Sequence, residues 1–112
     1  MNKLLWSPST NEIKNTQAWG FIQEVNQEFE AKLTNFHELY QWSCEFPESF
    51  WDLFWRYASI IAERNPTEVL KNGDDFLGSE WFPDARLSFA KNLLTDSSDN
   101  PAIVFWAEDR QK

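Results

Sequence analysis

The chain has 112 residues, a length that suits one domain. Ten Phe and seven Trp exclude wholesale disorder and supply the large side chains that a core this short needs. Ten Lys and Arg against eighteen Asp and Glu leave a net charge of −8, which repels phosphate backbones and anionic bilayers, so neither nucleic acid nor a membrane is an expected partner.

Leu4-Leu5-Trp6 is a short apolar lead-in broken at Pro8, without the apolar core of a signal peptide. Ser9 to Glu12 has the form of a capping box, so a helix follows. Ala18, Phe21, Ile22, Val25 and Phe29 fall at helical spacing on one stripe. Gly20 weakens that helix and Asn15-Thr16 offers a second cap, so a break near Asn15 is expected. Thr34 and Asn35 precede the next helix, with Phe36, Leu39, Tyr40 and Ser43 as its expected inner face. Pro47 disfavours helical geometry at Phe46 and suits the first turn of a third helix. There Phe50, Trp51, Phe54, Trp55, Ala58, Ile61 and Ala62 form a wide apolar face, flanked by Leu53, Tyr57 and Ile60, up to a stop at Asn65-Pro66. Phe54 is expected in the core. The face exceeds what one neighbouring helix covers, so a further element is expected on it.

Asn72-Gly73-Asp74-Asp75 and Gly78 mark a turn, with extended segments expected at Val69-Leu70 and Trp81–Pro83. Ser88 can cap a short helix through Leu94. After a polar loop, Pro101 to Trp106 reads as a strand and Glu108-Asp109-Arg110 as the start of a turn. A lone strand leaves its backbone groups unpaired, so a hairpin cut in half is expected. The expected fold class is mainly α: a module of about four to five helices over residues 1–100, then a single β-strand of an incomplete hairpin at 101–112.

The sequence offers little chemistry. His37 and Cys44 lack the companions of a metal site, and Asp74-Asp75 lacks the spaced ligands of a calcium loop, so a solvated acidic turn is expected there. A single histidine on an amphipathic helix does not make a nucleophilic triad. Gly20, Gly73 and Gly78 are dispersed, so no phosphate loop is expected. Cys44 is the only cysteine; no internal disulfide can form, which fits the cytoplasm, and the residue is expected to be a small buried hydrophobe. Trp51 and Trp55 would suit stacking on a sugar ring, but they share the helical spacing of Phe50 and Phe54, which favours a core or docking stripe. No catalytic, cofactor-binding or metal-ligating residue is expected.

The stretch Trp81-Phe82-Pro83-Asp84-Ala85-Arg86-Leu87-Ser88-Phe89-Ala90-Lys91-Asn92-Leu93-Leu94 resembles the end of the N-terminal region of acetoacetyl-coenzyme A synthetases, in the acyl-adenylate-forming superfamily. Leu5-Trp6-Ser7-Pro8-Ser9, Phe36 to Ser43, Phe46 to Trp51 and Pro101-Ala102-Ile103 resemble further blocks of that family in the same order. Asp84, Ser88, Phe89 and Lys91 stand where the family pattern has Gly, Asn, Tyr and Glu. The resemblance implies a front module of a ligase that joins acetoacetate to coenzyme A through an acyl-adenylate. It implies ATP, magnesium and coenzyme A as needs of the longer enzyme and none for this chain. The partner it implies is the remainder of the ligase. Trp81, Phe82, Arg86, Leu87 and Leu93 are the candidates for docking on it, with the Arg86 fork suited to a carboxylate or carbonyl across the seam. Self-association through exposed aromatics is a further expectation. The alternative reading is a free-standing helical protein–protein interaction module.

Overall fold

In the computed structural model, which describes residues 2–108, the first two helices divide where the sequence offers two caps. The Ser9 N–H donates to Glu12 Oε2 at 2.7 Å and the Glu12 N–H donates to Ser9 Oγ at 3.3 Å, closing the box. This starts α1 (Thr10–Lys14), which ends at Asn15. Thr16 then caps α2 (Gln17–Phe29) by accepting from the Trp19 N–H at 3.2 Å. α2 ends at Glu30, in the left-handed region with φ 52° and no glycine to announce it. The Asn26 side chain holds the returning chain. It accepts from the Leu33 N–H at 2.8 Å and donates to the Leu33 carbonyl at 2.9 Å.

Asn35 caps α3 (Phe36–Glu45) by accepting from the Glu38 N–H at 3.0 Å. The Glu38 carboxylate reaches back to Thr34 instead, taking its N–H at 2.6 Å and its hydroxyl at 2.9 Å. Pro47 opens α4 (Pro47–Tyr57). α4 stops well before Asn65-Pro66. Ser59 takes φ 53°, its N–H donates to the Arg56 carbonyl at 3.1 Å, and the Ile60 N–H donates to the Trp55 carbonyl at 3.2 Å. These are the two bonds of a Schellman cap. Ala58, Ile60, Ile61 and Ala62 therefore lie beyond the helix, a correction to the long face expected.

Phe21 and Ile22 with Val25 from α2, Leu39 from α3 and Leu53 from α4 form the buried core. The inner faces also differ from expectation. α4 turns Leu53 inward with Phe50 and Tyr57 packed against the core, while Phe54 is 38% exposed. α3 uses Leu39 and Trp42, and leaves Phe36 and Tyr40 exposed. On α2, Ala18 is exposed and Phe29 lies at the rim. α4 also approaches α2 closely at Gly20: a Cβ there would sit 2.6 Å from the Tyr57 hydroxyl oxygen. From the solvent side Arg56 forks onto Glu28 at 3.0 and 2.7 Å and reaches Asp52 at 3.0 Å.

β1 (Leu70–Lys71) and β2 (Glu80–Trp81) pair antiparallel, Leu70 opposite Trp81 and Lys71 opposite Glu80. Ser88 caps α5 (Phe89–Leu93) by accepting from the Lys91 N–H at 3.3 Å. The molecule is thus a mainly helical module with one small sheet. The strand expected over 101–106 is not formed: residues 101–105 have no regular structure and Trp106 alone stands in a bridge. An extended segment becomes a strand only beside a neighbour that takes its backbone bonds, and among the described residues none bonds to 101–105. The expected turn falls outside the described residues from Asp109 on.

Candidate functional site

β2 hands the chain to Phe82, whose φ of 49° lies in the left-handed region that bulky side chains avoid. Along a strand Trp81 and Phe82 would point to opposite faces. The left-handed turn instead brings both rings to one hollow with Trp51, of about 420 Å³. The Trp81 ring stands 6.1 Å from Trp51 at 67°, and Phe82 stands 6.4 Å from Trp81 at 45° and 4.8 Å from Trp55. A second hollow of about 160 Å³ shares Trp51 and Phe82 and adds Phe54, Trp55, Ile60 and Leu87.

Several bonds hold this conformation. The Phe82 N–H donates to the Val69 carbonyl at 2.8 Å, and the Ala85 N–H donates to the Phe82 carbonyl at 3.0 Å. Arg86 and Arg64 exchange backbone bonds at 3.0 and 3.1 Å. The Asp84 carboxylate accepts from the Thr67 hydroxyl, from the Thr67 N–H at 2.9 Å and from the Glu68 N–H at 3.4 Å. These donors, the Thr67 hydroxyl foremost, hold the Asp84 carboxyl below the usual carboxylate range. Asn92 completes the frame: it accepts from the Ile61 N–H at 2.8 Å and donates to the Ile61 and Ser88 carbonyls, each at 2.9 Å.

Of the five docking candidates, Trp81 and Phe82 line the larger hollow and Leu87 the smaller. Arg86 contributes its backbone, and its guanidinium has no carboxylate partner among the described residues. Leu93 stands 66% exposed on α5 and lines neither hollow. The element expected on the wide face of α4 is this turn: Trp51 meets Trp81 and Trp55 meets Phe82. The excess of aromatics along α4 signalled a covering element, but periodicity alone could not assign Trp51 and Trp55 to the outer side. Cys44, expected to be buried, is exposed. Among the described residues no group of three His, Cys, Asp or Glu is placed to hold a metal ion, and no helix is long and apolar enough to cross a membrane.

Residues 36–93, more than half of the chain, match the protein family described as acetyl-coenzyme A synthetase N-terminus. The chain belongs to this family. The match runs from the first residue of α3 to the last of α5, and so takes in both hollows and all five docking candidates. The chain is 33% identical over 108 residues to an acetoacetyl-CoA synthetase of Xenopus tropicalis, covering 96% of this chain and 16% of that protein. An acetoacetyl-coenzyme A synthetase of Rhizobium meliloti is 29% identical over 106 residues, 95% of this chain and 16% of its own length. A malonamoyl-CoA synthetase of Penicillium aethiopicum is 36% identical over 93 residues, 82% of this chain and 13% of its own length. The chain thus spans about one-sixth of the length of the curated synthetases it matches. No solved structure matches it.

Proposed function

We propose that this chain is the N-terminal module of an ATP-dependent acetoacetate–CoA ligase, which converts acetoacetate, ATP and CoA to acetoacetyl-CoA, AMP and diphosphate in the cytoplasm. Its role is to dock on the catalytic remainder. The observation that carries this reading is the exposed aromatic face at the Trp81–Phe82 turn, within the stretch that matches the family. In the whole enzyme residues 101–112 begin the catalytic body, where the apolar run from Ile103 to Trp106 takes its place as a strand. The acid is proposed from the names of the relatives; the malonamoyl-CoA relative points to a β-carbonyl carboxylate as the shared feature.

ATP, magnesium and CoA belong, in this reading, to the remainder. The three glycines do not offer a phosphate cradle: Gly20 is closed by Tyr57, Gly73 by Leu70 and Gly78 by Asp75. The test fuses this chain to a Rhizobium meliloti synthetase body from which the matching segment has been removed. Acetoacetate-dependent AMP formation should return with the fusion, be absent from the chain alone, and fall at least about tenfold for a Trp81→Ser fusion that loses docking energy. A fusion no more active than the bare body would overturn the reading. In the absence of the body, the same face promotes self-association.

A further inference from the structure

An asparagine side-chain amide is open to attack by the backbone nitrogen that follows it, most of all before glycine, which puts no side chain in the way. We infer that Asn72, in the turn between β1 and β2, is a self-modifying site that converts to isoaspartate and aspartate without an enzyme. The Gly73 nitrogen gives its proton to solvent base and bonds to Asn72 Cγ. The Cγ–Nδ2 bond breaks, ammonia leaves with a proton returned from solvent, and a five-membered cyclic imide closes. Water then opens the ring. Attack at the backbone carbonyl carbon leaves the chain running through Cβ and Cγ, an isoaspartate; attack at Cγ leaves an aspartate. One water is taken up and one ammonia released.

Three observations single out this residue. The first is its neighbour: of the asparagines, Asn72 alone precedes glycine, while Asn65 and Asn100 precede proline, which has no N–H to attack. The second is a loosely held amide. Asn26, Asn35 and Asn92 each make two or more side-chain bonds. Asn72 is exposed, and its Nδ2 has only the Gly78 carbonyl at 3.5 Å, beyond the usual range of a hydrogen bond. The third is an available nucleophile. The Gly73 N–H donates to no backbone carbonyl among the described residues. One backbone bond, from the Asp75 N–H to the Asn72 carbonyl at 3.0 Å, closes the turn, and the hairpin behind it rests on two residue pairs. Local opening of so small a hairpin brings the amide within reach of that nitrogen. Either product sets a new carboxylate near Asp74 and Asp75, and isoaspartate also lengthens the main chain by one carbon. Both loosen the hairpin in which Leu70 faces Trp81, whose docking role rests on the function proposed above. The module thus ages at the strand that holds a docking aromatic.

The test incubates the folded chain at mildly alkaline pH and follows it by peptide mapping and mass spectrometry, with isoaspartate counted by enzymatic methyl transfer. The peptide that carries Asn72 should gain about one dalton, as an amide becomes a carboxyl group, and isoaspartate should exceed aspartate in it. Peptides with Asn11 and Asn15, exposed but followed by larger residues, should lag behind. Asn72→Gly suits the φ of 54° and removes the amide, so it should keep the fold and show no gain. A gain at Asn72 no faster than at Asn11 and Asn15, or one seen only when urea unfolds the chain, overturns the site. In the synthetase fusion, ageing should lower acetoacetate-dependent AMP formation, and the Asn72→Gly fusion should hold its activity. Equal losses in the two aged fusions would overturn the effect on docking. A fusion inactive when fresh sinks the ligase reading, and the mass gain still decides the site. An active fusion without the mass gain does the reverse.

Discussion

A methyl group added at Gly20 would meet the Tyr57 hydroxyl oxygen at 2.6 Å, whereas the ring carbon behind it lies at 3.8 Å, an ordinary contact. Glycine inside α2 costs about 1 kcal/mol of helix propensity relative to alanine, and the close packing of Tyr57 on α2 is what that cost secures. Gly20→Ala is therefore expected to destabilise the chain by about 1 kcal/mol, as overpacking outweighs the propensity gain. In a Tyr57→Phe background the same change should stabilise by up to about 1 kcal/mol. A double-mutant cycle from urea midpoints checks the change of sign, and two additive single effects would refute it. Asp84 is legible in sequence only as a departure from the family pattern, yet it ties Thr67 and Glu68 to the aromatic turn. Its folded carboxyl is held low chiefly by the Thr67 hydroxyl, and Glu12 and Glu38 are likewise lowered by the backbone groups they cap. A group lowered on folding stabilises above its unfolded value, about 4, and that contribution is lost as pH falls through the folded value. Stability should thus decline as pH falls below about 5, and Asp84→Asn should lower it at neutral pH and flatten that decline. Parallel denaturation curves for the two proteins across this range would count against the clasp.

Among the elements, those that begin with a side-chain cap were legible: Ser9, Thr16, Asn35 and Ser88 each accept the backbone bond that their position called for, and Pro47 opens α4. Endings were not. α2 and α4 close through Glu30 and Ser59 at positive φ, residues that carry no turn signal, so α4 was expected to run on to Pro66. Rotation was not legible either. Glu48, Asp52 and Arg56 mark the polar side of α4, but Phe50, Trp51, Leu53, Phe54, Trp55 and Tyr57 spread around the rest of it, and packing against α2 singles out Leu53 as the buried position. The same reason kept the aromatic cleft from view. Trp81 and Phe82 read as docking candidates and Trp51 and Trp55 as a core or docking stripe, but nothing in the spacing pairs the two sets. Leu53→Ala should cost about 2–5 kcal/mol, enough to unfold a chain with so small a core. Phe54→Ala, at 38% exposure, should cost only about 1–2 kcal/mol, mainly its aromatic contacts with Phe21, Phe50 and Trp51. Thermal unfolding of the two variants checks the order, and a larger loss for Phe54→Ala would invert the assignment of the α4 face.

The whole molecule is larger than its length warrants. Its radius of gyration is 19.0 Å, where a self-contained chain of this size has about 13 Å. Its accessible surface is 9869 Å², where a folded monomer of 13.3 kDa has about 6,500 Å². The excess lies beyond the three-helix core: Leu4, Leu5, Phe76, Leu77, Phe89, Leu94 and Ile103 are each at least 75% exposed. Water does not favour so much uncovered apolar surface, and a partner that buries it gains free energy in proportion to the area covered. Stability should therefore be uneven along the isolated chain. Amides of α2, α3 and α4 rest on the core and should exchange slowly, while those of 61–108, held by a two-residue sheet and a few side-chain clamps, should exchange through local opening. Fusion to a synthetase body should slow exchange across 80–94 and 101–106 and leave α2 to α4 nearly unchanged, because only the former segments acquire a new partner. Hydrogen exchange read by mass spectrometry on the chain alone and on the fusion decides this. If 80–94 already exchanges as slowly as α4 in the isolated chain, the turn closes the module's own fold and the docking surface is lost.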